Sequence, residues 1–336
     1  MIKYPIFNSN VTIGVTAPSS GVKQELHDML TFSCNRMKDK GYNIICGETI
    51  WTQIKAKADT AQNRAEEFNK MMQDENIDII IPPWGGELLI EILEFIDFDN
   101  IKSKWILGYS DISTLLLAVT LKTGIATAHG SNLIDLRGEF SDNTTAMWET
   151  VLATKNGESI TQYSSSKYQS EWKEVPSPCV FHLNKNTCWK TSGEKNVRLK
   201  GRLLGGCIDT IRHLVGTPYG DVESFRKEFI NSDSVIWYLE NCDLNTADLR
   251  RSLVQMKFAG WFKNCSGIMF GRSSANEPVD NYLIEDVYKE LSNELKLPVV
   301  FDIDCGHVPP QMTLVNGAYA EVEVFDGKGI IHQYFK

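Results

Sequence analysis

A chain of 336 residues has room for about two domains, and 42% apolar residues is enough to bury a sizeable core. Its formal net charge of −9, with no long basic run, argues against a nucleic-acid backbone as partner. No stretch approaches the roughly 20 apolar residues of a membrane span, and the start, Met1-Ile2-Lys3-Tyr4-Pro5, lacks an apolar signal core.

The 8 cysteines contain no C-x-x-C pair, so the signal for a metal is weak, and no cofactor is expected. They sit in apolar contexts such as Ile44-Ile45-Cys46, as reduced, buried thiols do. The expected compartment is the cytoplasm.

In chain order, Val11 to Thr16 is a β-rich run closed by Ala17-Pro18-Ser19-Ser20-Gly21. Residues 22–40 carry Leu26, Met29, Leu30 and Met37 at helical spacing, and Gly41 stops them. Strands are expected at Asn43 to Cys46 and Ile77 to Ile81, separated by an amphipathic helix over 59–74. The second strand runs into Pro82-Pro83-Trp84-Gly85-Gly86, and a helix through Leu89, Ile92 and Ile96 follows. Trp105-Ile106-Leu107-Gly108 is a buried strand that turns at Tyr109-Ser110-Asp111 into a second apolar helix. Ile125 to Ala128 is a fifth strand, ending at His129-Gly130. Such alternation predicts a Rossmann-like parallel sheet covered on both faces. Its active site is expected beyond the carboxyl ends of the strands, where Gly85-Gly86, Ser110 and His129 fall.

Residues 156–198 break the periodicity and read as a connection plus a long surface loop bearing Trp172 and Trp189. A smaller mixed α/β domain with barrel-like strands is expected over 199–336, after an N-terminal domain over 1–155. Its strands are Ser234 to Leu239, Gly267 to Phe270 and Val299 to Ile303, with helices over 246–260 and 279–295. The Asn316-Gly317 and Asp326-Gly327 turns predict antiparallel hairpins at the end.

Ser110 sits where a strand turns into a helix, so its hydroxyl can stand off the sheet near backbone N–H groups and the positive helix end. Gly108 eases the turn. Ser110 or Asp111 as a plain helix cap is the other reading. A nucleophilic serine needs a base, and the base needs an orienting group. Of the 6 histidines, His129 and His307 follow apolar strands and are flanked by glycine; spacing does not choose between them. Glu240 ends an apolar strand and is either a helix cap or a catalytic partner.

Gly85-Gly86, Leu107-Gly108-Tyr109-Ser110-Asp111, Leu204-Gly205-Gly206, Leu239-Glu240 and Gly306-His307 occur in that order. Together they resemble the serine peptidase family that holds the LD-carboxypeptidases and the microcin C self-immunity proteins. The resemblance implies a Ser–Glu–His triad split between two domains: Ser110 as nucleophile, His307 as base and Glu240 as its partner. It implies an oxyanion hole from the N–H groups of Asp111 and Gly86, with Gly85 as the alternative, and a homodimer. His129 then has a structural or cleft-lining role.

Cell-wall members typically have an arginine before the paired glycines and a Gly-Tyr-Gly continuation. Here Trp84 precedes the pair and Glu87-Leu88 follows it. That departure and the tryptophan-bearing insert resemble the microcin-immunity branch. The small-molecule substrates it implies are aminoacyl nucleotides, with Trp84 and Gly85 at the substrate and Trp189 stacking on the base. Trp189 packed under the loop as an apolar anchor is the alternative. The other reading of the whole is an LD-carboxypeptidase acting on murein tetrapeptide.

Overall fold

The computed structural model describes residues 1–7, 10–171, 178–231 and 233–336. Trp172 lies outside them.

The first half alternates strands and helices as expected. In order they are β1 (Thr12–Val15), α1 (His27–Asp39), β2 (Asn43–Cys46), α2 (Ala61–Gln73), β3 (Ile79–Ile80), β4 (Trp105–Gly108), α3 (Ile112–Thr123), β5 (Thr127–His129) and the short α4 (Trp148–Leu152). The turns after Pro82 wind tighter than foreseen, as a 3₁₀ segment over Leu89–Phe95. The helix α3 is buried from Ile112 to Leu121, which explains why its sequence is apolar all round rather than striped.

The second half holds β6 (Ser159–Tyr163), β7 (Lys167–Tyr168), β8 (Lys185–Asn186), β9 (Lys190–Ser192), β10 (Val197–Cys207), α5 (Ile208–Ile211), α6 (Val222–Phe225), β11 (Val235–Glu240), α7 (Thr246–Phe258), β12 (Cys265–Gly271), α8 (Ile284–Leu295), β13 (Val299–Ile303), β14 (Leu314–Asn316), β15 (Tyr319–Phe325) and β16 (Lys328–Tyr334).

Two large sheets result. One has six strands in the order β14-β5-β4-β3-β1-β2, parallel except for β14. The other has eight, in the order β6-β16-β15-β10-β11-β12-β13-β9. Its centre, β10 to β13, is parallel and antiparallel strands flank it. The fold is mixed α/β, as expected, but this second sheet is open, with β6 and β9 as its edges, and does not close into a barrel.

Two further expectations change. The 156–198 segment is not simply a surface loop: β6 and β9 form both edges of the eight-stranded sheet. Asp326-Gly327 does turn a hairpin, with both residues at positive φ. Asn316-Gly317 does not, because β14 leaves the second sheet and pairs with β5 of the first. The reason is Asn316, whose buried amide oxygen accepts from Gly205 N at 3.0 Å and from the Tyr238 hydroxyl at 2.8 Å. Its amide nitrogen donates to Thr127 Oγ1 on β5 at 3.3 Å. One side chain thus pins the two sheets together.

Candidate functional site

Ser110 stands between β4 and α3 with φ +63°, a left-handed conformation unusual outside glycine. Asn132 supports the turn by accepting the Tyr109 N–H at 3.3 Å. Asp111 does not cap α3 with its side chain. Its buried carboxylate instead accepts from Ser19 Oγ at 2.5 Å and Leu89 N at 2.8 Å, which ties the elbow to the loop after β1 and to the 3₁₀ segment. Burial raises the pKa of this carboxyl. Ser113, the second residue of α3, accepts the N–H of Cys207 at 3.0 Å and so docks the helix on the end of β10.

Gly85 lies against the serine: a Cβ there would fall 2.7 Å from Ser110 Oγ and 3.0 Å from Asp111 N, so the position tolerates no side chain. The Gly85 carbonyl accepts from Ser20 N at 3.2 Å. In a trans peptide this turns the Gly86 N–H to the opposite side. Trp84, half-buried, donates its indole N–H to Gly21 O at 3.1 Å. Trp84, Gly85 and Gly86 line a cleft of about 510 Å³ with Ser20, Lys23 and Gln53.

From the other sheet come Glu240, the last residue of β11, and His307, in the loop after β13. His307 Nδ1 and Glu240 Oε2 are 2.8 Å apart. Glu240 is fully buried, His307 partly exposed. The imidazole ring packs on Tyr109 at 5.0 Å, beside the serine turn. Among the described residues, Ser110 and His307 share no hydrogen bond; such contacts often tighten only around substrate. Burial disfavours the imidazolium, but the Glu240 carboxylate and a hydrogen bond with Cys242 outweigh it and raise the His307 pKa to about 11. Burial also pushes the Glu240 carboxyl up, and the His307 charge and hydrogen bond more than reverse this.

Cys207, Glu240 and His307 offer atoms within 4.8 Å of one another, close enough to consider a metal. The donor set fits poorly, because the Glu240–His307 bond occupies two of the atoms and burial keeps the Cys207 thiol protonated.

Models of the LD-carboxypeptidase N-terminal and C-terminal domains match residues 13–130 and 200–322. The chain belongs to the LD-carboxypeptidase family. Among relatives, the microcin C7 self-immunity protein MccF of Escherichia coli is 27% identical over 310 residues, covering 88% of this chain and 85% of that one. A probable murein peptide carboxypeptidase of Bacillus subtilis is 22% identical, covering 96% and 92%. Solved structures share the LD-carboxypeptidase fold. A MccF-like protein from Bacillus anthracis superposes with TM-score 0.82 at 21% identity, covering 99% of each chain. The muramoyltetrapeptide carboxypeptidase of Oxalobacter formigenes gives 0.74 at 19%, covering 96% and 99%.

On this LD-carboxypeptidase scaffold two residues take the structural one of their two expected placements. Trp189 is not open on a loop: it is 1% exposed in the core of the second sheet and donates its indole N–H to Asp304 at 3.0 Å. A Cβ at Gly329 would fall 2.0 Å from the indole, so the far hairpin closes directly over it. Lys190 is engaged by Asp302 at 2.8 Å. Nor does His129 line a cleft; it is wholly buried beneath β14, opposite Leu314. Asn132 and Ser19 carry no signal in the sequence, because nothing local marks a polar residue that braces a turn from another loop.

Proposed function

We propose that this LD-carboxypeptidase family member is a serine hydrolase that cleaves an amide-type bond near a free carboxylate or acyl-adenylate. The observation that carries the reading is that His307, bonded to Glu240, packs on Tyr109, the chain neighbour of Ser110 on its left-handed turn. His307 takes the Ser110 proton as Oγ attacks the carbonyl carbon, and Glu240 orients the imidazole. The N–H groups of Asp111 and Gly86 stabilise the oxyanion, with Gly85 held bare so that the peptide can approach. Collapse of the tetrahedral intermediate expels the amine, which takes the proton from His307. Water then resolves the acyl-enzyme by the same route in reverse.

For substrate, the reading favours aminoacyl nucleotides and microcin C analogues. It rests on the similarity to MccF and on Trp84 in the cleft where cell-wall members carry arginine. Murein tetrapeptide is the second reading, supported by the long match to the Bacillus subtilis relative. Parallel assays on an aminoacyl sulfamoyl adenylate and on murein tetrapeptide decide between them. Turnover of the peptide alone would overturn the nucleotide reading. Activity should survive exhaustive EDTA treatment; loss with EDTA and recovery with zinc would reverse the serine mechanism.

A further inference from the structure

His129 has no part in the mechanism above, yet it is wholly buried beside that mechanism's carboxylate. Its Nε2 lies 4.0 Å from Glu240 Oε1. Neither atom has a hydrogen-bond partner among the described residues, although buried polar atoms are nearly always paired. The other oxygen, Oε2, is the one held by His307. On the far side of the ring, His129 Nδ1 lies 3.7 Å from Cys305 Sγ. The rings of Tyr109 and Tyr238 close the remaining sides at 6.3 Å and 5.5 Å.

These contacts favour one place for the proton. Burial keeps the Cys305 thiol protonated, so its S–H can donate to Nδ1. Burial likewise lowers the His129 pKa to about 4, so the ring is neutral and carries a single proton. With Nδ1 accepting, that proton sits on Nε2 and faces Glu240. A shift of about 1 Å brings the pair into hydrogen-bond range.

We propose that His129 is a positioning residue for Glu240, donating from Nε2 to Oε1 so that the carboxylate is held between two imidazoles. The proposal rests on the reading of Glu240 as the group that orients His307. A carboxylate bonded through one oxygen can swing about its terminal torsion; bonded through both, it fixes the plane in which His307 must lie. The ordered line then runs from Cys305 through His129, Glu240 and His307 toward Ser110.

The test uses His129→Phe, His129→Asn, His129→Gln and Ser110→Ala in the full chain, with the rate of covalent modification by a fluorophosphonate as the readout. Glutamine can place an amide N–H where Nε2 stands; asparagine and phenylalanine cannot. The Phe and Asn variants should react roughly tenfold to a hundredfold more slowly, the usual size of losing a histidine-orienting partner, while Gln keeps most of the rate. The low-field proton of the His307–Glu240 bond should shift in Phe and Asn and stay in Gln. If Phe does not fold, the Asn and Gln pair carries the comparison. Equal rates in folded Asn and Gln variants, or a parent rate in Phe, would overturn the proposal while an inert Ser110→Ala leaves the triad standing. Undiminished labelling of Ser110→Ala would bring down both.

Discussion

Trp189 donates its indole N–H to Asp304, the same carboxylate that pairs with Arg272 and accepts from Ser165 N and Oγ. Truncating Trp189 removes a large core side chain and one donor from that buried acid. Trp189→Ala should therefore cost about 3–5 kcal/mol of stability. At temperatures where the variant is folded, KM for a nucleotide substrate should stay at the parent value. A tenfold rise in KM with an unmoved melting temperature would return Trp189 to the substrate.

Ser110→Ala should fold normally, because the serine side chain is only partly buried and its neighbours brace the turn through the backbone and through Asp111. Turnover should fall by several orders of magnitude, as when other triad nucleophiles are removed. Near-parent turnover in this variant would remove the nucleophile from the mechanism.

The Glu240–His307 pair sets a pH signature. On the proposed mechanism His307 acts as base only when neutral, and its raised pKa delays that state. The acid limb of kcat/KM should lie well above the ordinary histidine value of about 6.5. A profile already flat from about pH 7 upward would contradict this. Stability carries the matching sign. The raised His307 contributes fully below its unfolded value and loses that contribution as pH climbs toward about 11. The depressed Glu240 contributes above the unfolded carboxyl value and loses it as pH falls through the lower folded one. Urea midpoints of the parent and of His307→Gln across pH should converge on the alkaline side.

Asn316 makes three hydrogen bonds to two sheets. Asn316→Ala leaves the Gly205 N–H and the Tyr238 hydroxyl buried without that acceptor, each at about 1–3 kcal/mol. A lower melting temperature and faster hydrogen exchange in β5 and β14 should follow. Unchanged exchange in β14 would mean that strand pairing alone holds it.

Sequence reasoning reached the parts of this molecule that are local. A strand, a glycine and a serine before an apolar helix mark the position of the Ser110 elbow within a dozen residues. Glu240 and His307 were visible as polar residues ending buried strands, although only the family resemblance joined them. The unreadable parts are long-range. Trp189 has polar chain neighbours, and its burial is set by Gly327 and Gly329, which arrive from the last hairpin. Glycine beside His129 suggested an open ring, but β14 covers it from nearly two hundred residues away.

The return of β14 to the first sheet also governs when this chain acquires its chemistry. During synthesis β1 to β5 and the serine emerge first, with the edge of β5 unpaired and exposed to stray strand addition. That edge closes only when residues 314–316 leave the ribosome, after Glu240 and His307 have been made. On the proposed mechanism the nascent chain therefore stays inert until it is almost complete, and a stop before Leu314 leaves the β5 edge without its partner strand.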